Sequence, residues 1–183
     1  MYMAPIAVVS RRYLAPCPVN LTIVREVLSL VDGNFAVTNG NGDVVFKVQG
    51  KVSPLRRRVL VDASGNPIVS FQKKLISAYK RWVVFRGDSS DPKDIIFSAK
   101  QGSWFTRSWT IYAGDTTTIV AQMHKEYTIQ SIALGKDTFT VTVYPNVDYV
   151  FIIALVVILH EIRKEKHQLH KRKQKTRNKR ESH

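Results

Sequence analysis

The run from Tyr149 to Leu159 (YVFIIALVVIL) is apolar at all eleven positions, and it follows more than a hundred residues that read as short strands and tight turns. A helix that is apolar on every side has to be enclosed, either by lipid or by protein. At about 1.5 Å per residue, eleven residues of helix span roughly 16 Å, about half of the ~30 Å hydrocarbon core of a bilayer. Enclosure by protein is the expectation, with Phe151, Ile152, Ile153, Leu155, Val156 and Leu159 at the centre of a core and no transmembrane span. Six of the eleven residues are Val or Ile, which favour strands, so the helical assignment rests on the flanks. Tyr144-Pro145-Asn146 breaks the preceding strand, Asn146 is placed to act as N-cap, and Asp148 falls in the first turn, where the helix dipole favours a negative charge. At the far end His160, Arg163, Lys164 and Lys166 sit where the carbonyl terminus favours cations.

Upstream, short apolar runs alternate with turn chemistry: Asp32-Gly33-Asn34, Asn39-Gly40-Asn41-Gly42-Asp43, Ala63-Ser64-Gly65-Asn66, Gly87-Asp88-Ser89-Ser90-Asp91-Pro92 and Ala113-Gly114-Asp115. Alternation of period two is clearest in Phe35 to Thr38, Val44 to Val48, Ile68 to Phe71, Trp104 to Tyr112 and Phe139 to Val143. The pattern predicts roughly nine or ten strands before the helix. Antiparallel strands in that number close on themselves or pack in two layers to bury their edges. The expected fold is mainly β, an antiparallel barrel filled by its own C-terminal helix.

At 183 residues the chain is one domain's worth. Met1 to Val9 is weakly apolar, lacks a basic start and meets Arg11 and Arg12 at once, which is unlike a signal peptide. Cys17, the single cysteine, has no intramolecular partner for a disulfide. Both features point to an intracellular protein, cytoplasmic or peripheral on a membrane, with the nucleus as the alternative. The net charge of +14 is concentrated at one end: from His160 onward ten Lys or Arg face three Glu, which places +7 there. Gln168 to His183 has one large apolar residue, Leu169, and does not fold alone. Residues 1–18 read as an N-terminal extension, 19–162 as the domain, and 163–183 as a basic tail, either frayed helix or disordered.

Taken in order, Leu21 to Arg25 (LTIVR), Ser29 to Phe35 (SLVDGNF), Trp82 to Gly87 (WVVFRG), Ile119 to His124 (IVAQMH), Leu134 to Asp137 (LGKD) and Val141 to Tyr149 (VTVYPNVDY) resemble the LURP-one-related (LOR) proteins of plants. The resemblance implies a tubby-like fold, a twelve-stranded barrel around a hydrophobic C-terminal helix, shared with tubby proteins and phospholipid scramblases. It also implies a link to plant defence and no established catalytic residue. This chain departs from the family pattern at two places. The counterpart of Asp94 to Lys100 is followed in the family by further strands before the counterpart of Gly102-Ser103-Trp104, so a segment is missing at 100–101. The barrel is therefore expected to be incomplete, with Asp94 to Ala99 and Trp104 to Tyr112 short of their partners unless they pair directly as a new hairpin. The second departure is the long basic tail.

No enzyme signature is present, and no catalytic residue, metal or cofactor is expected. His124 has no Asp or Cys constellation, and His160, His167 and His170 lack Cys or carboxylate partners at metal-ligand spacing. There is no G-x-G-x-x-G and no P-loop. Scramblase-like calcium chemistry requires several oxygen ligands per ion, and only Asp137, Asp148 and Glu161 lie near the helix. Arg56-Arg57-Arg58, Lys73-Lys74 and Lys80-Arg81 form a candidate cationic face for anionic phospholipid headgroups, phosphoinositides among them, at about 1 kcal/mol per charge near the surface. The competing reading is a set of separate strand ends kept soluble by charge. The tail, led by Lys171, Arg172 and Lys173, suits a nuclear import signal, a nucleic-acid arm or a lipid tether. Without a recognition helix, a finger or tail aromatics, nucleic acid is reached through the tail alone. The composite reading is a non-enzymatic, membrane-associated adaptor in plant defence signalling that binds anionic lipid and a protein partner of unknown kind. The alternatives are a nuclear or nucleic-acid-associated protein directed by its tail and a scramblase-like lipid-handling protein.

Overall fold

The structure, a computed structural model, describes residues 5–26, 32–74, 81–101, 109–113, 119–123, 132–135 and 138–181. Eleven strands are described, β1 (Val19–Arg25), β2 (Phe35–Thr38), β3 (Val44–Gly50), β4 (Arg58–Asp62), β5 (Pro67–Lys73), β6 (Arg81–Arg86), β7 (Ile95–Gln101), β8 (Trp109–Ala113), β9 (Ile119–Met123), β10 (Ile132–Gly135) and β11 (Thr138–Val143), followed by helix α1 (Tyr149–Glu181). They make one sheet in the order β10-β11-β1-β2-β3-β4-β5-β6-β7-β8-β9, with antiparallel pairing at every step. It is a meander whose last strand returns to its first: β11 runs against β1 from Val19↔Val143 to Val24↔Thr138. Among the described residues β9 and β10 form the two edges and do not pair.

The curvature wraps the sheet around α1. Within β11, β1–β3 and β5–β7 alternate residues face inward and are buried, namely Val141 and Val143, Leu21 and Ile23, Phe35 and Val37, Phe46 and Val48, Val69 and Phe71, Trp82 and Val84, Phe97 and Ala99, and β4 is buried continuously from Arg58 to Val61. The helix answers with an unbroken buried run from Val150 to Ile158, the outcome required of a helix apolar on all sides. Phe97 meets Phe151 edge-on with ring centroids 5.0 Å apart. No described helix is long and apolar enough to cross a membrane.

Two local features bear on the sequence reading: the direct pairing of β7 with β8 is one of its alternatives, and the helix cap departs from it. β7 has a partner on each side, because β8 pairs with it directly from Phe97↔Ala113 to Gln101↔Trp109. β7 and β8 are therefore direct neighbours, and among the described residues the open edges are β9 and β10. The helix is capped by Asp148 and not by Asn146. Asn146 adopts a positive φ of 64°, the third residue of the turn that Pro145 starts, closed by Val147 N–H donating to the Tyr144 carbonyl at 3.3 Å. Two residues later the carboxylate of Asp148, wholly buried, accepts from the N–H of Phe151 at 3.0 Å through Oδ1, and from Val9 and Ser10 at 2.8 and 3.0 Å through Oδ2. The N-terminal segment is thereby drawn over the start of the helix. Ile6 bridges Val147, and Tyr13 is buried against Phe46 and Tyr149, with centroids 6.5 and 5.6 Å away. A segment that reads as an extension contributes Val9 and Tyr13 to the core.

Candidate functional site: the mouth where the helix leaves the sheet

Hydrophobic burial is non-directional, so an apolar helix in an apolar sleeve has its rotation and depth set by shape alone unless polar contacts add to it. Polar contacts at the two ends add a register. Asp148 fixes the start, and a cluster of charges fixes the place where α1 emerges.

The cluster follows from strand phase. Arg25, Arg58 and Lys73 lie two residues from the inward-facing Ile23, Leu60 and Phe71, so the pleat turns them toward the helix at one mouth of the sheet. Glu161 and Glu165, four apart on α1, arrive at the same level. Glu161 is wholly buried, and its Oε2 takes Arg58 Nη2 at 3.1 Å and Arg56 Nη1 at 3.4 Å. Glu165 forms an ion pair with Arg56 Nε at 3.5 Å and accepts a hydrogen bond from Lys73 Nζ at 3.2 Å. Arg56 reaches the helix from the β3–β4 loop, where it holds a φ of 53°. Asp32, the residue before Gly33, bridges Lys164 of α1 and Arg25 of β1, the latter at 2.7 Å. Burial pushes the Asp32 carboxyl up, but hydrogen bonds from Lys164 and Arg25 outweigh it and hold it at about 2. The His160 ring lies edge-on between Phe35 and Phe139, with centroids 5.4 and 5.2 Å away.

Gly33 makes room for this arrangement. Its φ of +90° suits the Asp32-Gly33 turn, and a Cβ there would stand 2.1 Å from Arg58 Nε. Within the cluster Arg58 Nε and Glu161 Oε1 have no hydrogen-bond partner among the described residues, so the pair is not fully satisfied. A buried pair of this kind adds little net stability over an apolar substitute, yet losing one member leaves a bare buried charge.

The candidate anion-binding residues thus fall into separate groups. Arg56, Arg58 and Lys73 converge on the two glutamates. Arg57 points outward, tied to Asp88 at 2.8 Å, the Ser89 carbonyl at 2.7 Å, Ser70 at 3.0 Å and Gln72 at 3.1 Å. Arg81 donates to Ser98 Oγ at 2.7 Å and lies over the Tyr112 ring at 5.5 Å. Lys74 is half-buried beside it, its N–H donating to the Arg81 carbonyl at 2.9 Å. Lys80, His124 and Asp137 lie outside the described residues. Lys171, Arg172 and Lys173 stand on α1 beyond the sheet, where every residue from His167 to Asn178 is exposed. The helix runs without interruption from the core to Glu181, about 50 Å at its usual rise. Glu165 as an ion-pair acceptor is absent from the sequence reading. Its signal is the i, i+4 pair of carboxylates directly after the apolar run.

The family model for LURP-one-related proteins matches residues 19–102 and 101–160, two segments that meet at 101–102. Protein LURP-one-related 15 of Arabidopsis thaliana is 44% identical over 187 residues, covering 86% of this chain and 86% of that protein. Protein LURP1 of the same plant is 35% identical over 189 residues, covering 87% and 91%. An X-ray structure of an Arabidopsis thaliana protein, 41% identical, superposes with a TM-score of 0.58 over 86% of this chain and 99% of that one. By sequence and by fold, the chain belongs to the LURP-one-related family.

Proposed function

We propose that the protein is a non-enzymatic adaptor in plant defence signalling, the setting the family resemblance implies, and that it docks peripherally on anionic membrane through the emergent half of α1. The observation that carries this reading is the division of its cations. Arg56, Arg58 and Lys73 have carboxylate partners within the fold, whereas Lys171, Arg172, Lys173 and Lys175 stand exposed on a helix already ordered. Such a rod meets a charged surface without first having to fold, and each cation near an anionic leaflet contributes about 1 kcal/mol. Its single large apolar residue, Leu169, gives it no face to bury in lipid, so association is electrostatic and superficial. The tail helps to align a body whose protein partner is recognised elsewhere.

The test is co-sedimentation of the full chain, and of a chain ending at Glu165, with phosphatidylcholine vesicles with and without phosphatidylserine. Full-length protein should pellet with the anionic vesicles at low salt, release steeply toward physiological salt, and lose binding on truncation. Retention by duplex DNA with no pelleting on phosphatidylserine vesicles would transfer the reading to a nuclear protein directed by its tail.

A further inference from the structure

We propose that Thr176 is a phosphorylation site for a basophilic serine/threonine kinase, and that the tail's own cations hold the phosphate and weaken its attraction for anionic surfaces. The loss of attraction rests on the docking role proposed above; the site and its cationic cradle do not.

Thr176 lies in the exposed stretch of α1, and its hydroxyl donates to the Arg172 carbonyl at 3.0 Å, the i−4 back-bond of a helical threonine. Residues three and four away share its face of the helix, and all four are cationic: Arg172, Lys173, Lys179 and Arg180. The tail has one other hydroxyl, Ser182, outside the described residues, and Glu181 precedes it. A neutral threonine serving as a spacer needs no such surround. A phosphate there gains charge-assisted hydrogen bonds from the exposed Arg172 and Lys173, already at helical spacing. The same Arg172 and Lys173, four and three residues upstream, give an acidic kinase cleft its charge pattern. Entry into the cleft requires only local unwinding of a solvated helix end, the low-stability part of the molecule.

In the transfer, Thr176 Oγ1 attacks the γ-phosphorus of a nucleoside triphosphate. A new O–P bond forms as the bond to the nucleoside diphosphate breaks, and the hydroxyl proton passes to the kinase's base. The product carries a charge of about −1.5 to −2 at neutral pH, which lowers the local +7 to about +5 and engages neighbouring cations internally. Affinity for phosphatidylserine vesicles should fall about tenfold or more.

The experiment treats the full chain and a Thr176→Ala variant with a purified basophilic kinase and ATP, maps the phosphate by mass spectrometry, and follows it by phosphorus NMR through a pH titration. Expected are one phosphate on Thr176, none on the variant's tail, and a titration midpoint below that of a short phosphothreonine peptide without basic residues. Phosphate on Ser182 alone, no incorporation, or an unshifted midpoint would overturn the proposal. Vesicle sedimentation of modified and unmodified protein then reads the release. Equal binding by both forms refutes the switch, whereas failure of the unmodified chain to bind refutes the docking role and leaves the site to be judged by mapping and titration.

Discussion

The two halves of α1 are one continuous helix in two different environments. From Val150 to Ile158 the side chains are buried without interruption, and from His167 to Asn178 they are exposed without interruption. The inner half is held by shape and hydrophobic burial, which are insensitive to salt. The outer half is exposed from His167 to Asn178 and carries charge. Between them, Glu161, Lys164 and Glu165 meet Arg56, Arg58, Lys73 and Asp32, so the transition coincides with the ring of charges at the mouth. A single helix can thus belong to the fold at one end and to its surroundings at the other, provided that a polar boundary fixes where one gives way to the other.

The contrast is broken most severely from inside. Ile153→Asp or Leu155→Asp places an unpaired charge in the core at a cost of several kcal/mol, against a total stability of about 5 to 15. These variants should lose cooperative melting by circular dichroism, whereas Lys171→Asp on the same helix should melt like the parent. Glu161→Ala comes next, because it strands Arg58; a loss of about 3 to 5 kcal/mol is expected in urea unfolding. The pair Glu161→Leu with Arg58→Met should recover most of that loss. Asp148→Ala removes the cap and leaves the N–H groups of Val9, Ser10 and Phe151 without their acceptor, an expected cost of about 2 to 3 kcal/mol read as a lower Tm.

Acid probes the boundary more gently. The Asp32 carboxyl is held at about 2 in the fold and returns to its ordinary value near 4 on unfolding. Its contribution to stability is therefore complete above pH of about 4 and disappears as pH falls through about 2. In Asp32→Asn this part of the acid dependence should be absent from pH-dependent melts. The smallest effect on folding is expected from ending the chain at Glu165. Tm should barely move, with a change below about 0.5 kcal/mol, while vesicle binding is lost.

The inner half of α1 was legible because eleven consecutive apolar residues leave few alternatives, and β2, β3, β5 and β11 were legible because turn residues bracket alternating runs. The cap was misplaced by two residues. Asn146 and Asp148 are both good capping residues, and only the turn at Pro145, which sends Asn146 to a positive φ, decides between them. The mouth was half legible. The sequence offers Arg58 and Lys73 as part of a cationic face, but the carboxylates they meet lie 103 and 92 residues away, beyond any local pattern. Tyr13 and Val9 gave no periodic signal in so short a segment, and their place in the core follows from the carboxylate of Asp148, which accepts from the N–H groups of Val9 and Ser10 and so draws the segment in.

The return of the last strand to the first governs how such a chain folds. Val9 meets Asp148 across 139 residues, and β1 waits for β11 before its outer side is paired. On a ribosome the inward faces of β1 to β7 emerge before the helix that covers them, and their apolar residues remain exposed until α1 has been synthesised. Closure of such distant contacts is slow, and the half-built sheet is prone to associate in the interval. The final residues of the domain are thus the ones that complete it, and the inner face of the nascent sheet stays uncovered up to the moment α1 inserts.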